Sequence, residues 1–286
     1  MAEIHAGLGF ILLKGAQASE SEPDYELALS AYRQATVLNP DFPEALLNQG
    51  NIALKLSQLD EAKKAYETLL SLYSSPTPRS QVEIGVSQAP KPNLTRVHLA
   101  LGKIYLRQKE SSTAIRHYQQ ALKSDPDLVE AYYNMALIAV REGRLDEAVE
   151  YYEAVLQRKP NMAEAHYLVG KIYTEQKQYE KAESAYQRAI EIMPSFADAY
   201  ERLAYLYGIW GRHLDKALEL SKKAVELQPN SAVYLNTLSW LYYLDKDYVR
   251  AFEAIKKAST LQPDNPLYQE GLKVIQRAKK NGQSSR

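Results

Sequence analysis

Apolar residues in this chain recur at helical spacing and come in paired segments. Between Val129 and Pro160 the pair reads AYYNMALIAVRE and LDEAVEYYEAVLQRK, with Gly143 and Arg144 between them. Neither segment alternates apolar and polar residues with period two, so the pattern predicts helix, tight turn, helix. The same layout returns along the chain. Pro126, Pro160, Pro194, Pro229 and Pro263 are separated by 34, 34, 35 and 34 residues, and Pro40 fits the same grid. A proline there ends one helix and opens the next turn, because it lacks a backbone donor and its ring clashes with the preceding helical turn.

Seven repeats can be placed on this period: Gly9 to Phe42, Pro43 to about Pro76, Thr95 to Leu128, Val129 to Met162, Ala163 to Phe196, Ala197 to Ser231 and Ala232 to Asn265. The organisation is therefore two repeats over 9–73, an insertion over 74–94, five repeats over 95–265, a further amphipathic helix over 266–280 and a polar tail over 281–286. Small residues mark where paired helices approach closely. Gly50, Gly102, Ala136, Gly170, Ala204 and Ser239 do so on first helices, and Ala62, Ala114, Ala148, Ala182, Ala217 and Ala251 on second helices. Of 22 tyrosines, Tyr32, Tyr66, Tyr118, Tyr152 and Tyr186 fall on a repeated second-helix position that buries an aromatic ring.

Three departures stand out. The first repeat carries Ser19 to Asp24, with Pro23, between its helices, which predicts a longer turn or a shorter first helix. The sixth has one extra residue around Gly208 to Arg212, to be absorbed in the turn before Leu214. The insertion SSPTPRSQVEIGVSQAPKPN holds Pro76, Pro78, Pro90 and Pro92, which forbid a continuous helix. It reads as a surface loop over an unbroken stack. A hinge between the two blocks is the alternative, and its VEIGV core has the character of a strand that could pair with a partner.

In the third repeat the recurring positions are His98, Leu101, Gly102, Tyr105, Ala114, Tyr118, Ala121 and Pro126. This resembles the tetratricopeptide repeat, whose pattern has a large residue, Leu, Gly and Tyr on the first helix, then Ala, an aromatic and Pro. The resemblance implies an all-α, right-handed superhelical solenoid with a C-terminal capping helix. It also implies a non-catalytic scaffold that binds a protein or peptide partner in its concave groove.

At about 100 degrees per residue, first-helix positions 4, 8 and 11 share one face, while 2, 5, 9 and 12 share the other. In proteins this one resembles, the second face lines the groove. Positions 5 and 9 along the chain give Lys103, Tyr133, Tyr167, Lys171, Tyr205, Asn236 and Trp240, and with Asn134 and Arg202 among them these are the candidate peptide-binding residues. Flat rings bury area at low entropic cost, and amide and cationic groups can pair with a peptide backbone. Glu130, Glu164 and Asp198 at position 2 make the face mixed in charge. A clamp for a peptide's terminal carboxylate, known in some relatives, is not expected. Asn48, Asn51 and Arg96 are present, but Leu13 and Leu47 stand where it needs Lys.

Charge and composition narrow the remaining options. Lys plus Arg equal Asp plus Glu at 35 each, so no net field draws the chain to nucleic acid or an anionic membrane. There is no Cys, hence no disulfide or thiol nucleophile. The five histidines lack metal-site spacing, and His98 and His166 occupy a packing position; His5, His117 and His213 have no ligand partner nearby in sequence. No nucleophile elbow, phosphate-cradling loop or HExxH motif occurs. Acids such as Asp146, Glu147, Glu180 and Glu183 sit at second-helix starts, where they complement the helix dipole. No catalysis, cofactor or metal is expected.

No run of about twenty apolar residues is present to insert into a membrane. Ala6 to Leu13 with Ala16-Gln17-Ala18 has the outline of a signal peptide, yet Met1 to His5 contains Glu3 and neither Lys nor Arg, so these residues read as a repeat helix. The expected location is cytoplasmic, or exported and periplasmic if an upstream signal is removed. Ala204 to Tyr243 is similar to units of bacterial envelope-associated repeat proteins, which makes an arm of a larger envelope complex one alternative. Self-association through the apolar first repeat, with Phe10, Ile11, Leu12 and Leu13, is the other.

Overall fold

The computed structural model describes residues 1–74 and 94–284, and they form fifteen helices. The proline-rich insertion, whether loop, hinge or pairing strand, lies outside the described residues apart from its two ends. Ser74 closes one helix and Leu94 opens the next. Two compact units divide the chain, 1–138 and 139–286.

The first unit holds α1 (Ala2–Ser19), α2 (Glu22–Leu38), α3 (Pro43–Lys55), α4 (Leu59–Ser74), α5 (Leu94–Arg107), α6 (Ser111–Ser124) and most of α7 (Val129–Arg141). From α1 to α6 each helix packs on the next. The second unit holds the end of α7, α8 (Leu145–Arg158), α9 (Ala163–Glu175), α10 (Tyr179–Ile192), α11 (Ala197–Trp210), α12 (Leu214–Leu227), α13 (Ala232–Leu244), α14 (Tyr248–Leu261) and α15 (Pro266–Ser284). Here too successive helices pack, and first helices also meet across repeats, α9 on α11 and α11 on α13. The architecture is an all-α helical-repeat solenoid. No described helix is long and apolar enough to cross a membrane.

Each pair closes around one contact. A Cβ added to Gly50, Gly102 or Gly170 would stand 2.5, 2.4 or 2.7 Å from the ring of Tyr66, Tyr118 or Tyr186, sixteen residues on. The ring packs against the bare backbone there, and in the fourth repeat Ala136 takes the glycine's place sixteen residues before the equally buried Tyr152. Those tyrosines and Ala62, Ala114 and Ala182 are at most 1% exposed. Where the first-helix residue grows to Ala204 or Ser239, the second-helix position shrinks to Ser221 or Ile255. Ser239 is buried and its hydroxyl donates to the Ala251 carbonyl at 2.7 Å.

The turns repeat as closely. Ser57, Lys109, Gly143, Lys177 and Lys246 all take the left-handed conformation, with φ of 60, 63, 73, 59 and 62°. This lets the next residue's N–H reach back to the helix, as Gln178 N does to the Tyr173 carbonyl at 2.8 Å. Four of the five are not glycine, so each holds backbone strain on the order of 1 kcal/mol. In the sixth repeat Gly211 keeps this place at φ 70°, and His213 adds a second left-handed residue at φ 54°, so the extra residue is taken up in the turn.

The first repeat differs from expectation. Gly9 faces the buried ring, with a built Cβ 2.9 Å from Tyr32. The helix therefore starts at Ala2 rather than Gly9, and glycine and tyrosine are twenty-three residues apart. The seven additional residues neither lengthen the turn nor shorten the first helix. They extend both helices, to 18 and 17 residues, and only Glu20 and Ser21 lie between them. Pro23 sits in the first turn of α2, where its missing N–H has no intrahelical partner to lose.

Candidate functional site

In the second unit, first helices α9, α11 and α13 bring a connected row of aromatic and cationic side chains together. Tyr167 on α9 lies between Tyr186 and Phe196, with ring centres 6.1 and 5.0 Å away. Lys171, one turn on, is exposed and holds its ammonium 5.7 Å from the Tyr167 ring centre. Arg202 on α11 interacts with the Tyr167 hydroxyl and lies 5.9 Å from the Tyr205 ring. Tyr205 is followed at 5.5 Å by Trp240 on α13. Trp240 packs on the bare backbone of Gly208, where a Cβ would stand 2.4 Å from its ring. The row ends in an open recess of about 360 Å³ between α13, α14 and α15, lined by Asn236, Trp240, Tyr243, Leu267, Val274 and Ile275 among others.

A buried carboxylate holds this row in place. Glu201, 3% exposed, accepts from the Thr237 hydroxyl at 2.7 Å and pairs with Arg202 Nε at 3.2 Å. Burial raises its carboxyl above the ordinary range, while Arg202 and the Thr237 bond pull it back. Arg202 is thus fixed by α11's own glutamate and α13's threonine before any ligand arrives. Glu201 stands at a position read from sequence as groove-lining. Its neighbour's charge and the polar residue thirty-six positions on were the available signal, but neither recurs in other repeats.

Position 9 shows what the row leaves unused. In the first unit Lys103 Nζ pairs with Glu130 Oε1 at 2.5 Å, twenty-seven residues on. The same offset from Lys171 leads to Asp198, but that carboxylate accepts the Tyr234 hydroxyl at 2.6 Å instead. Lys171 has no carboxylate within ion-pair distance among the described residues. Asn134 turns its amide to the Glu130 carbonyl of its own helix at 2.8 Å, and Tyr133 is half-buried with interactions of its own.

A second cluster was not legible in sequence. His98 on α5 and His117 on α6 bring their Nδ1 atoms to 3.0 Å. Their ring centres are 5.3 Å apart, which is the nitrogen separation plus a ring radius on each side. The nitrogens therefore face each other along the line of centres, a hydrogen bond that requires one proton between them rather than a converging chelate. Tyr105 stacks on His117 at 5.4 Å and donates its hydroxyl to Glu67. Burial, then His98 and Arg116, push His117 down to about 4, and burial lowers His98 as well. No described group of three or more His, Asp or Glu could hold a metal ion.

Stacked helix pairs, several of them closed by a glycine against a tyrosine ring, with a half-exposed aromatic face, define a helical-repeat scaffold. Two models described as tetratricopeptide repeat match this chain, one over residues 22–81, 99–163 and 133–199 and the other over 197–231. The chain belongs to the tetratricopeptide repeat family, whose members are generally non-catalytic protein-interaction scaffolds.

No curated protein matches it. Among solved structures, the C-terminal part of a repeat-containing protein from Cytophaga hutchinsonii is similar at 21% identity, covering 93% of this chain and 99% of that one, with a TM-score of 0.69. MamA is 28% identical over 57% of this chain and 95% of its own, with a TM-score of 0.53. YrrB, described as a repeat protein with an unusual peptide-binding site, is 23% identical over 63% and 93%, with a TM-score of 0.55. At these identities the first and third likenesses concern the fold.

Proposed function

We propose that the aromatic and cationic face of the second unit holds an extended segment of a partner protein, without turnover or cofactor. The observation that carries this is the continuous row Tyr167, Arg202, Tyr205, Trp240, half-exposed yet held in place from beneath by Glu201 and Thr237. Rings and a guanidinium fixed before binding lose little freedom when a ligand docks, which is where affinity in such faces comes from. Lys171 and Asn236 flank the row as polar contacts. In the first unit Lys103, Tyr133 and Asn134 occupy equivalent ground, but the Glu130 carboxylate and carbonyl already engage Lys103 and Asn134.

Random twelve-residue peptides selected on the immobilised protein test the reading. Their titration into wild type should give affinities that Arg202→Ala and Trp240→Ala each weaken at least tenfold, while Tyr248→Ala, outside the row, leaves them unchanged. Peptides that bind all three variants alike would remove the proposal.

A second reading, self-association, is favoured by one observation. On α1, Ile4, Leu8 and Ile11 form a single stripe and are 67%, 47% and 68% exposed.

A further inference from the structure

First helices carry an apolar face at fixed offsets from the glycine that meets the ring. In α5 it is Val97, Leu101 and Ile104, and in α9 it is Ala165, Val169 and Ile172; all six are buried, and each helix packs on the second helix of the pair before it. In α1 the same offsets from Gly9 give Ile4, Leu8 and Ile11, and there the face is open to solvent. Met1 and Gly15 extend it, since at about 100° per residue they and the two isoleucines lie within ~60° of Leu8. α1 thus shows to solvent the face that stacks one pair on another elsewhere. The charges beside it are placed unevenly. Glu3 and Lys14, both exposed, lie on one flank, about 80 and 60° past Ile11, with only Gly7 and Ala18 between. No atom stands within 4 Å of a Cβ built on Gly7 or Gly15. Lys14 holds its ammonium 5.5 Å from the ring centre of Phe10 on its own helix, and neither Glu3 nor Lys14 is in an ion pair among the described residues.

We propose that two copies of this chain pair through α1, antiparallel, about a two-fold axis at the level of Leu8. The inference rests on the self-association reading and gives it a geometry. The midpoints of Ile4–Ile11 and of Glu3–Lys14 both fall within one residue of Leu8. A two-fold axis there, perpendicular to the helices, turns one helix end for end and keeps the same flank on the same side. Leu8 then meets the partner's Leu8, Ile4 meets the partner's Ile11, and Glu3 meets the partner's Lys14, each unlike contact occurring twice. A parallel pairing would put the two flanks on opposite sides and leave these charges unmatched. Gly7, Gly15 and Ala18 add little bulk, so the backbones can close on the charged flank and bring the long side chains within reach. One face of an 18-residue helix covers less than the roughly 800 Å² per partner of a standard interface, so the dimer should be concentration-dependent and weakened by salt.

Sedimentation velocity from micromolar to millimolar concentration tests this on wild type, Glu3→Lys and Lys14→Glu. Wild type should reach a dimer and no larger species. Each reversal alone sets like charges opposite at both ends of the pair and should weaken dimerisation about tenfold. An equimolar mixture of the two variants matches opposite charges again and should recover it, a gain that misfolding cannot imitate. Because the chain has no Cys, Leu8→Cys can be read by itself: mild oxidation should join two copies, while Phe10→Cys, on the far side of α1, should stay a single chain. A wild type that is monomeric throughout overturns both the inference and the self-association reading. Species larger than a dimer, association that the reversals leave unchanged, a mixture that does not recover, or a Leu8→Cys that cross-links no more readily than Phe10→Cys leaves self-association standing and overturns the α1 pairing.

Discussion

The helix pair α5–α6 and the first helices α11 and α13 each bury a titratable group, and they do so with opposite consequences. Around His98 and His117, burial favours the neutral form, so the folded state takes up protons less readily than the unfolded chain. Around Glu201 burial again favours the neutral form, but for a carboxylate that form is the protonated one. The histidine pair therefore contributes stability that is full above the unfolded value near 6.5 and is lost as pH falls towards about 4. Glu201 contributes most below its unfolded value near 4.5, and that contribution is lost as pH rises through its raised folded value. One repeat architecture thus accommodates two local sites whose responses to acid run in opposite directions.

The comparison is broken most severely by Glu201→Ala. It leaves the Thr237 hydroxyl and the Arg202 guanidinium without their shared partner, and urea unfolding should show a loss of about 3 kcal/mol. A variant within experimental error of wild type would mean that the buried carboxylate supports nothing. Next come Gly102→Val and Gly170→Val, which push side-chain atoms into Tyr118 and Tyr186 and should each cost about 2 kcal/mol. Similar losses would establish that packing is shared by the two regions and that their difference lies in the polar groups alone. Markedly unequal losses would defeat that view.

The acid response itself is a smaller effect. Between pH 7 and pH 5, hydrogen-exchange protection in α5–α6 should fall by about 1 kcal/mol, a figure reduced for the pair's partial exposure, while protection in α11 and α13 should not fall. His117→Phe should flatten the first response and leave the second intact; an unchanged acid response in that variant would show that the pair is not its source. The smallest contrast concerns the two lysines at position 9. Lys103→Ala loses its pairing with Glu130 and should cost about 0.5 kcal/mol, whereas Lys171→Ala should leave the unfolding midpoint unmoved. Equal costs would mean that Lys171 has a structural partner after all.

What the sequence made legible was whatever the fold repeats. The glycine under the tyrosine, the alanine of the second helix and the closing proline occur in unit after unit, so helix pairs and their turns could be read from spacing. The first repeat was misplaced because its seven extra residues are helical and shift the glycine out of phase with its tyrosine. The row from Tyr167 to Trp240 was accessible in part, since its residues share one helical face. Contacts made once have no period to betray them. His98 and His117 meet only because α6 folds back on α5, and Glu201 is drawn inward only because Thr237 waits on the next first helix.

The reciprocal sizing of glycine and tyrosine also bears on how such a chain can be rearranged. A first helix carrying Ser239 belongs with a second helix carrying Ile255, and one carrying Gly170 with one carrying Tyr186. A recombination event that cut within a pair would join a serine to a ring or leave a glycine facing an empty slot. A cut at the prolines would carry both halves of the match together. The heritable module of this protein is therefore the helix pair, and its permitted crossover points are the prolines that mark the period.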